Sequence, residues 1–233
     1  MEMSESIVNN TEVLRELDGS VYVIDDDSAM RDAMVSLIGS VGWKAVAFSY
    51  GHDFLVCERP DQPSCLLLDV RLRGLSGFSV LDEMRKRKID MPVIFMTAHG
   101  DVEMSVRAMK EGAFDFLLKP FREQELLDGV GNALRIDRRR LAAQRALSET
   151  QRLFDSLTPR QRDVMALIVD GLVTKQIAAR LNISEVTIKI HRKEVMAKMQ
   201  ARSIAELVIK AAHLGLHNRP LYESFDPEQF IEG

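Results

Sequence analysis

The chain has 233 residues, a formal net charge of −4 and two cysteines. At about 150 residues per domain, this length predicts one or two domains. The cysteines fit no metal-ligand spacing and indicate no disulfide framework, and the N-terminal stretch MEMSESIVNN lacks the basic and apolar regions of a secretory signal. Since no apolar run approaches the roughly 20 residues of a membrane-spanning helix, the sequence predicts a cytoplasmic protein without a membrane partner.

Charge is unevenly distributed along the chain. Residues 1–150 contain 19 basic and 25 acidic residues, residues 151–210 contain 11 and 6, and residues 211–233 contain 1 and 4. This asymmetry indicates an acidic module followed by one that faces nucleic acid. A run of charge more often marks a solvated face, so composition alone leaves both interpretations open.

The first module alternates short apolar runs with helical patterns, which is typical of βα units. The predicted strands are Val21–Ile24, Lys44–Phe48, Cys65–Leu68, Val93–Met96 and Phe114–Leu118. One predicted helix follows Ser28, three cover Ser49–Val56, Phe78–Lys88 and Asp101–Glu111, and a last helical pattern begins at Glu123. This arrangement predicts an α/β flavodoxin-like fold, whose doubly wound parallel sheet has five strands in the order 2-1-3-4-5.

Polar side chains that can carry chemistry follow four of these strands. Asp25 and Asp26 come after the first strand, Asp69 after the third, Thr97 after the fourth and Lys119 after the fifth. The carboxyl ends of parallel strands lie along one edge of the sheet, where ligands of open α/β sheets bind. We therefore expect these residues to meet in one site, although Asp69 taken by itself is equally well explained as the start of a turn.

A cluster of carboxylates needs a cation. Three carboxylates held close repel one another, and Mg²⁺ prefers oxygen ligands, of which one or two direct carboxylates suffice. A carboxylate can also be the nucleophile toward a phosphoryl group, with Mg²⁺ and an ammonium neutralising the charge. The sequence thus predicts Mg²⁺ as cofactor, with Lys119 and Thr97 facing phosphoryl oxygens. For Asp27 we predict only a solvated surface position.

Residues 20–130 resemble the receiver domain of two-component response regulators. The residues that carry this resemblance are Asp25-Asp26, Asp69, Thr97, Phe116 and Lys119-Pro120. The resemblance implies that Asp69 accepts the phosphoryl group. It also implies a metal site of four residues: Asp26, which binds the metal directly, Asp25, which acts through metal-bound water, Asp69, and Arg71 through its backbone carbonyl.

The same resemblance implies a switch. Thr97 and Lys119 are its phosphate-sensing pair, Phe116 is the aromatic residue that changes rotamer, and the Lys119–Pro120 peptide bond is cis. The chain departs from the pattern at Arg73, where this subfamily often carries proline. That departure affects the expected stiffness of the loop and leaves the phosphoacceptor unchanged.

Residues 123–155 predict a helical connector. Apolar residues recur at helical spacing from Leu126 to Leu147, although Gly129 and Gly131 weaken the helix locally. We interpret Arg138-Arg139-Arg140 as a solvated face. The stretch is expected to be a semi-rigid rod, and its heptads are too irregular to predict a coiled coil.

The basic module predicts four helices. They are Arg160–Asp170, preceded by the cap Thr158 and by Pro159; Lys175–Leu181, capped by Thr174; Glu185–Met199, capped by Ser184; and Ile204–Leu214, capped by Ser203. Two short helices, a short turn and a basic helix are typical of a helix-turn-helix. On the third helix, the exposed arcs are expected to carry Lys189, Arg192, Lys193 and Lys198. An ordinary four-helix bundle with a cationic surface is the alternative.

The segment LTPRQRDVMALIVDGLVTKQIAARLNISEVTIKIHRKEVMAKM is similar to the LuxR/GerE-type DNA-binding domain, and ISEVTIKIHR is its most specific part. The resemblance implies that the third helix enters the major groove and that the fourth dimerises, with half-sites about one DNA turn apart. We predict base-edge contacts from Lys189, Ile190 and Lys193, since lysine can donate to guanine and isoleucine can contact a thymine methyl group. The predicted phosphate contacts are Thr174, Lys175, Thr187 and Arg192. His191 is predicted to pack against the first helix.

With both modules, the chain resembles the FixJ-type response regulators. The predicted parts are an N-terminal extension (1–19), a receiver (20–133), a helical linker (134–154), a DNA-binding domain (155–216) and a tail (217–233). The resemblance implies that a sensor histidine kinase phosphorylates Asp69 with Mg²⁺. The homodimer then binds promoter DNA and acts with RNA polymerase to regulate, in particular to activate, transcription. The chain is predicted not to be an enzyme.

Two alternatives remain. One is a hydrolase with an aspartyl-phosphate nucleophile, but haloacid-dehalogenase-like phosphatases place a second Asp two residues after the nucleophile, where this chain has Arg71. The other is a regulator that binds DNA whatever the state of its receiver. The complete acidic set of Asp25, Asp26 and Asp69 argues against it.

Overall fold

The computed structural model describes residues 19–98 and 102–216. Its contacts divide the chain into two compact units, Met1–Ala142 and Ala143–Gly233, and each unit is described by itself. The predicted extension, apart from Gly19, and the predicted tail lie outside the described residues. The predicted domain limits stay predictions, and the division by contacts falls within the predicted linker.

Five parallel strands form the sheet of the first unit. They are β1 Ser20–Ile24, β2 Lys44–Phe48, β3 Ser64–Asp69, β4 Val93–Thr97 and β5 Asp115–Leu118. The order β2-β1-β3-β4-β5 confirms the predicted topology. Ile24 lies opposite Leu68, and Thr97 lies opposite Leu118. Because the strands end in register, the residues that follow them emerge together at one edge of the sheet.

Helices cover both faces of this sheet. They are α1 Ser28–Ser40, α2 Gly51–Val56, α3 Gly77–Lys86, α4 Val102–Lys110 and the first part of α5 Glu123–Asp155. Alternate side chains of a strand point to opposite faces, so Leu66 and Leu68 belong to one buried cluster and Cys65 and Leu67 to the other. Burial raises the pKa of the Cys65 thiol, which therefore stays protonated at neutral pH as a core side chain.

Two local features shape the loops after β1 and β3. The Asp27 carboxylate accepts hydrogen bonds from the backbone N–H groups of Ala29 (2.9 Å) and Met30 (3.4 Å) and caps α1. The prediction of a plain solvated position missed this role, which the place of Asp27 before a helical pattern could have indicated. Gly77 begins α3 so close to β3 that an added Cβ would clash with the Asp69 carbonyl oxygen.

Helix α5 runs unbroken for 33 residues. Leu126 and Leu134 are buried against the sheet. Further along, the Asp137 carboxylate accepts hydrogen bonds from the Ser64 backbone N–H (2.8 Å) and from Arg140 Nε (2.7 Å). Since the Asp137 side chain is 1% exposed, α5 belongs to the core of the first unit beyond the predicted end of the receiver.

The second unit contains the end of α5 and four further helices among the described residues: α6 Pro159–Val169, α7 Thr174–Leu181, α8 Glu185–Lys198 and α9 Ile204–His213. Three helices are capped by the predicted hydroxyl side chains, Thr158, Ser184 and Ser203. The predicted cap Thr174 is wrong, because Thr174 is the first residue of α7. Val173 occupies the cap position, and its N–H donates to the Gln176 side chain (3.0 Å).

One apolar cluster holds these helices together. Ile188 and Val195 of α8 are fully buried and pack with Val164 of α6 and Ile177 of α7. Asn182 makes the turn between α7 and α8 with a φ of 52°, a left-handed conformation that asparagine tolerates. Helices α7 and α8 therefore form the predicted helix-turn-helix. Across the described parts of the chain, no helix combines the length and apolarity needed to cross a bilayer.

Candidate functional site

The three strand-end carboxylates meet at the carboxyl edge of the sheet. Asp25, Asp26 and Asp69 each offer an oxygen, and these oxygens all lie within 4.8 Å of one another. Asp25 is 1% exposed and Asp69 is 9% exposed. Three like charges this close and this poorly solvated are unfavourable without a compensating cation.

Lys119 supplies one such cation. Its Nζ lies 2.6 Å from Asp25 Oδ2 and 2.9 Å from Asp69 Oδ2, and its side chain is 11% exposed. Burial by itself lowers the pKa of Lys119, but the hydrogen bonds and negative charges of the two aspartates raise it by more, so the pKa lies above its ordinary value. Lys119 is therefore charged at neutral pH. The Lys119–Pro120 peptide bond is cis, as the resemblance implies.

Thr97 belongs to β4 and Phe116 to β5, the two strands that end beside the carboxylate cluster. Thr97 ends β4 and is fully buried, and its carbonyl oxygen accepts a hydrogen bond from the Lys119 backbone N–H at 2.8 Å. This bond holds the threonine and the lysine next to each other. Phe116 in β5 lies opposite Phe95. It is partly buried and packs against the apolar cluster that contains Leu66 and Leu68.

Backbone groups orient the two buried acids. The Arg71 N–H donates to Asp69 Oδ1 and the Asp27 N–H donates to Asp25 Oδ1, both at 3.0 Å. Arg31, which the sequence reasoning missed, donates from Nη1 to the Asp25 carbonyl oxygen at 2.7 Å. Because Arg31 belongs to α1 and Asp25 precedes that helix, no local pattern indicated this contact.

Arg73 reaches the same cluster from the loop after β3. Its Nε lies 3.1 Å from Asp26 Oδ2, and the side chains of Arg73 and Asp26 are 77% and 28% exposed. The resemblance indicated only that this subfamily often carries proline where this chain has arginine. The structure adds that the guanidinium pairs with the most exposed of the three carboxylates.

The donor set fits a hard divalent cation. Each oxygen of Asp25 and Asp69 already has a polar partner on Lys119 or on a backbone N–H, which holds both carboxylates in place. Asp26 is more accessible and shares the same 4.8 Å cluster. Oxygen ligands in this arrangement match the preference of Mg²⁺, and the Arg71 backbone lies beside them.

The predicted base-contacting residues lie on the outer surface of α8. Lys189, Ile190 and Lys193 are exposed, and Ile190 is 53% exposed although it is apolar. The predicted phosphate contacts differ in exposure. Lys175 is exposed, whereas three of them are half-buried: Thr174, Thr187 and Arg192. Their contacts with DNA stay predictions.

A polar network joins α6 to α8 beneath this surface. Gln161, which is 5% exposed, donates to Glu194 Oε2 (2.9 Å) and accepts from Lys198 Nζ (2.9 Å). His191 Nδ1 lies 3.4 Å from the same Glu194 oxygen. Lys198, expected on an exposed arc, is therefore used within the unit, and His191 is linked to α6 through Glu194.

Comparisons with known proteins match both units. The family described as response regulator receiver domain matches residues 21–130, and the family described as bacterial regulatory proteins, luxR family, matches residues 155–211. Nodulation protein W of Bradyrhizobium diazoefficiens is 49% identical over 196 residues, which cover 84% of this chain and 86% of that protein. Transcriptional regulatory protein FixJ of the same organism is 39% identical, with coverage of 86% and 98%. The chain belongs to the FixJ-type response regulators.

Solved structures agree with this assignment. The structure of the response regulator StyR is 41% identical to this FixJ-type regulator, covers 84% of it and 98% of its own chain, and has a TM-score of 0.78. Full-length FixJ from B. japonicum is 38% identical, with coverage of 86% and 98% and a TM-score of 0.51. The protein is thus a response regulator transcription factor with a receiver and a LuxR-type DNA-binding domain. The matching families are regulatory, and neither is an enzyme family.

Proposed function

We propose that phosphorylation of Asp69 switches on promoter binding by this regulator. A sensor histidine kinase supplies the phosphoryl group from a phosphorylated histidine. A carboxylate oxygen of Asp69 forms the new P–O bond while the P–N bond breaks, and the imidazole keeps the electron pair of the broken bond. One observation carries the proposal: three carboxylate oxygens lie within 4.8 Å of one another, and Lys119 bridges two of these acids.

The surrounding residues bind and neutralise the phosphoryl group. Four residues would hold Mg²⁺: Asp26 directly, Asp25 through metal-bound water, Asp69, and Arg71 through its backbone carbonyl. The bound cation would supply charge neutralisation at the phosphoryl oxygens. Lys119 binds the same anion as a point charge. The product adds about two negative charges to the site, so both cationic groups interact more strongly with the product than with the free carboxylate.

Thr97 and Phe116 carry the change away from the site. The Thr97 hydroxyl donates to a phosphoryl oxygen that is present only after transfer. Because the Thr97 carbonyl is bonded to the Lys119 N–H, a movement of one strand end moves the other. Phe116 changes rotamer as Thr97 moves, and the resulting change in the surface of the receiver promotes formation of a homodimer. One phosphoryl group thereby biases an equilibrium between two states.

The dimer binds promoter DNA through α8. Two copies of α8 enter major grooves at half-sites about one DNA turn apart, with α9 as the dimerisation element. Base-edge contacts come from Lys189, Ile190 and Lys193, and phosphate contacts come from Thr174, Lys175, Thr187 and Arg192. The bound dimer acts with RNA polymerase to activate transcription.

The test compares DNA affinity and oligomeric state at fixed salt. The full chain and an Asp69→Asn variant are measured with and without Mg²⁺ plus acetyl phosphate, on a duplex selected from a random pool. We expect the phosphodonor to tighten binding and to produce dimers of the unmodified chain only. Equal affinity in all four samples would show that the receiver does not control DNA binding. Sustained turnover of acetyl phosphate without dimers would instead favour the hydrolase alternative.

Arg73 is expected to weaken metal binding. Its guanidinium competes for Asp26, and an exposed ion pair contributes up to about 1 kcal/mol. Arg73→Gln should therefore bind Mg²⁺ roughly two- to fivefold more tightly, as measured by calorimetric titration of the full chain. Arg139→Gln removes the same charge from an exposed position on α5 and should leave the affinity unchanged. Equal or weaker Mg²⁺ binding by Arg73→Gln would contradict competition.

A further inference from the structure

Besides the apolar arc that packs into the core of its own unit, helix α8 has an apolar patch that is exposed to solvent. Val186 is 66% exposed and Ile190 is 53% exposed. They lie four residues apart and so are neighbours on one face of the helix. The arc that packs into the core is a different one, since it holds the fully buried Ile188 and Val195. Two β-branched apolar side chains therefore stand side by side in water.

Helix stability does not explain a valine at this position. Ser184 caps α8 by accepting a hydrogen bond from the Thr187 N–H (3.1 Å), and Val186 contributes nothing to that cap. The first turn of a helix favours acidic residues, and valine is a weaker helix former than most residues. An outward valine in this turn is better explained by an external partner.

The neighbouring charges indicate what that partner is. Lys189 and Lys193 are exposed and alternate with the two apolar residues in a single stripe along the helix. Ammonium groups complement the phosphates of DNA, and the N-terminal residues of a recognition helix are those that reach base edges. In the major groove, the apolar group that a base edge presents is the C5-methyl of thymine.

We propose that Val186, together with Ile190, reads thymine methyl groups and is a specificity-determining residue of this regulator. This inference rests on the proposed function, because it requires α8 to enter the major groove. Four residues of helix advance about 6 Å along the axis, and base pairs are spaced by about 3.4 Å. The two side chains therefore contact methyl groups within about three consecutive base pairs of each half-site.

Deoxyuridine provides the test, because it differs from thymidine only by the missing C5-methyl. A duplex is first selected from a random pool by the full chain with Mg²⁺ and acetyl phosphate. Each thymine of one half-site is then replaced by uracil, and affinity is measured by fluorescence anisotropy at fixed salt. We expect about a fourfold loss at the position that Val186 contacts, the value for one buried methyl-sized group.

Variants assign that loss to the side chain. Val186→Ala should bind thymine and uracil duplexes equally at this position, and Val186→Thr, which keeps the shape, should lose most of the difference. Val173→Ala removes an equally exposed valine, 61% exposed, from the start of α7 and should keep the full sensitivity. Two results would overturn the inference and leave the proposed function intact. One is that Val186→Ala loses as much affinity as the unmodified chain when thymine is replaced by uracil. The other is that the unmodified chain binds the duplex tightly but loses no affinity on that replacement. Failure to select any duplex overturns both.

Discussion

Replacing Lys119 with methionine is expected to lower the free energy of unfolding of the first unit by about 3 kcal/mol when Mg²⁺ is absent. The Lys119 ammonium lies 2.6 Å from Asp25 and 2.9 Å from Asp69 in a site where all three side chains are at most 12% exposed. Methionine fills a similar volume but leaves the two carboxylates uncompensated. Breaking a buried ion pair on one side costs more than forming it contributes.

The same variant should respond more strongly to Mg²⁺. A ligand that binds only the folded state stabilises it more, the more tightly it binds, and the divalent cation relieves more repulsion once the ammonium is gone. Because the folded pKa of Lys119 is raised, its contribution is complete below the unfolded pKa of about 10.4 and is lost only as the pH rises through the folded value. The loss in free energy of unfolding caused by Lys119→Met should therefore be constant across about pH 6 to 8.

Trp43 makes this measurement specific to the first unit. It is the only tryptophan of the chain and packs against the receiver core, so its fluorescence in urea reports the unfolding of that unit. Lys110→Met removes an exposed lysine of α4 and should change the free energy of unfolding by less than about 0.5 kcal/mol. A Lys119→Met protein as stable as Lys110→Met would exclude a structural role for the ion pairs.

Replacing Asp137 with alanine is expected to destabilise the first unit by about 3 kcal/mol. The carboxylate is 1% exposed and accepts from the Ser64 N–H and from Arg140 Nε. Alanine leaves a buried N–H without its acceptor and a guanidinium without its inner partner. Asp137→Asn keeps one acceptor oxygen for Ser64 and should lose less.

Asp90 offers a matched comparison for Asp137. It pairs with Nη1 of the same Arg140 at 3.0 Å, but its side chain is 76% exposed. Asp90→Ala should therefore cost less than about 1 kcal/mol, again followed by Trp43 fluorescence. Equal losses for Asp137→Ala and Asp90→Ala would mean that burial does not determine the strength of this contact.

The parallel sheet and its acidic edge could be predicted from the sequence because both follow from short-range patterns. Each strand is a local apolar run, and the alternation of strands with helices indicates a doubly wound fold of the flavodoxin-like strand order without knowledge of side-chain contacts. A residue that ends such a run lies at the carboxyl edge. Asp25, Asp69 and Thr97 could therefore be placed together before any distance was known. The hydroxyl caps Thr158, Ser184 and Ser203 were predictable for the same reason, since a cap is a local feature.

The predictions that failed are of two kinds. In one, the side chain binds a partner that the local sequence does not indicate; in the other, a neighbouring residue occupies the predicted position. Thr174 has the chemistry of a cap, but the helix begins one residue earlier than the pattern indicated. Arg138-Arg139-Arg140 was interpreted as a solvated face, which agrees with the exposed Arg139, whereas Arg140 bonds to Asp137 and Asp90. Lys198 was expected on an exposed arc, yet its ammonium binds Gln161. Charge and periodicity alone do not distinguish a free cation from a satisfied one.

The sequence by itself determined the two-domain organisation, the strand order, and the set of acids, threonine and lysine at the carboxyl edge of the sheet. The reason is that the residues next to a strand end or a helix start determine its position. Only the tertiary structure decided that Arg73 pairs with Asp26, that Arg31 holds the Asp25 carbonyl and that Asp137 joins α5 to the start of β3. Each of these contacts requires two segments to approach within about 3 Å, the range over which a hydrogen bond acts. Such proximity is a property of the packed chain, and residue spacing does not encode it.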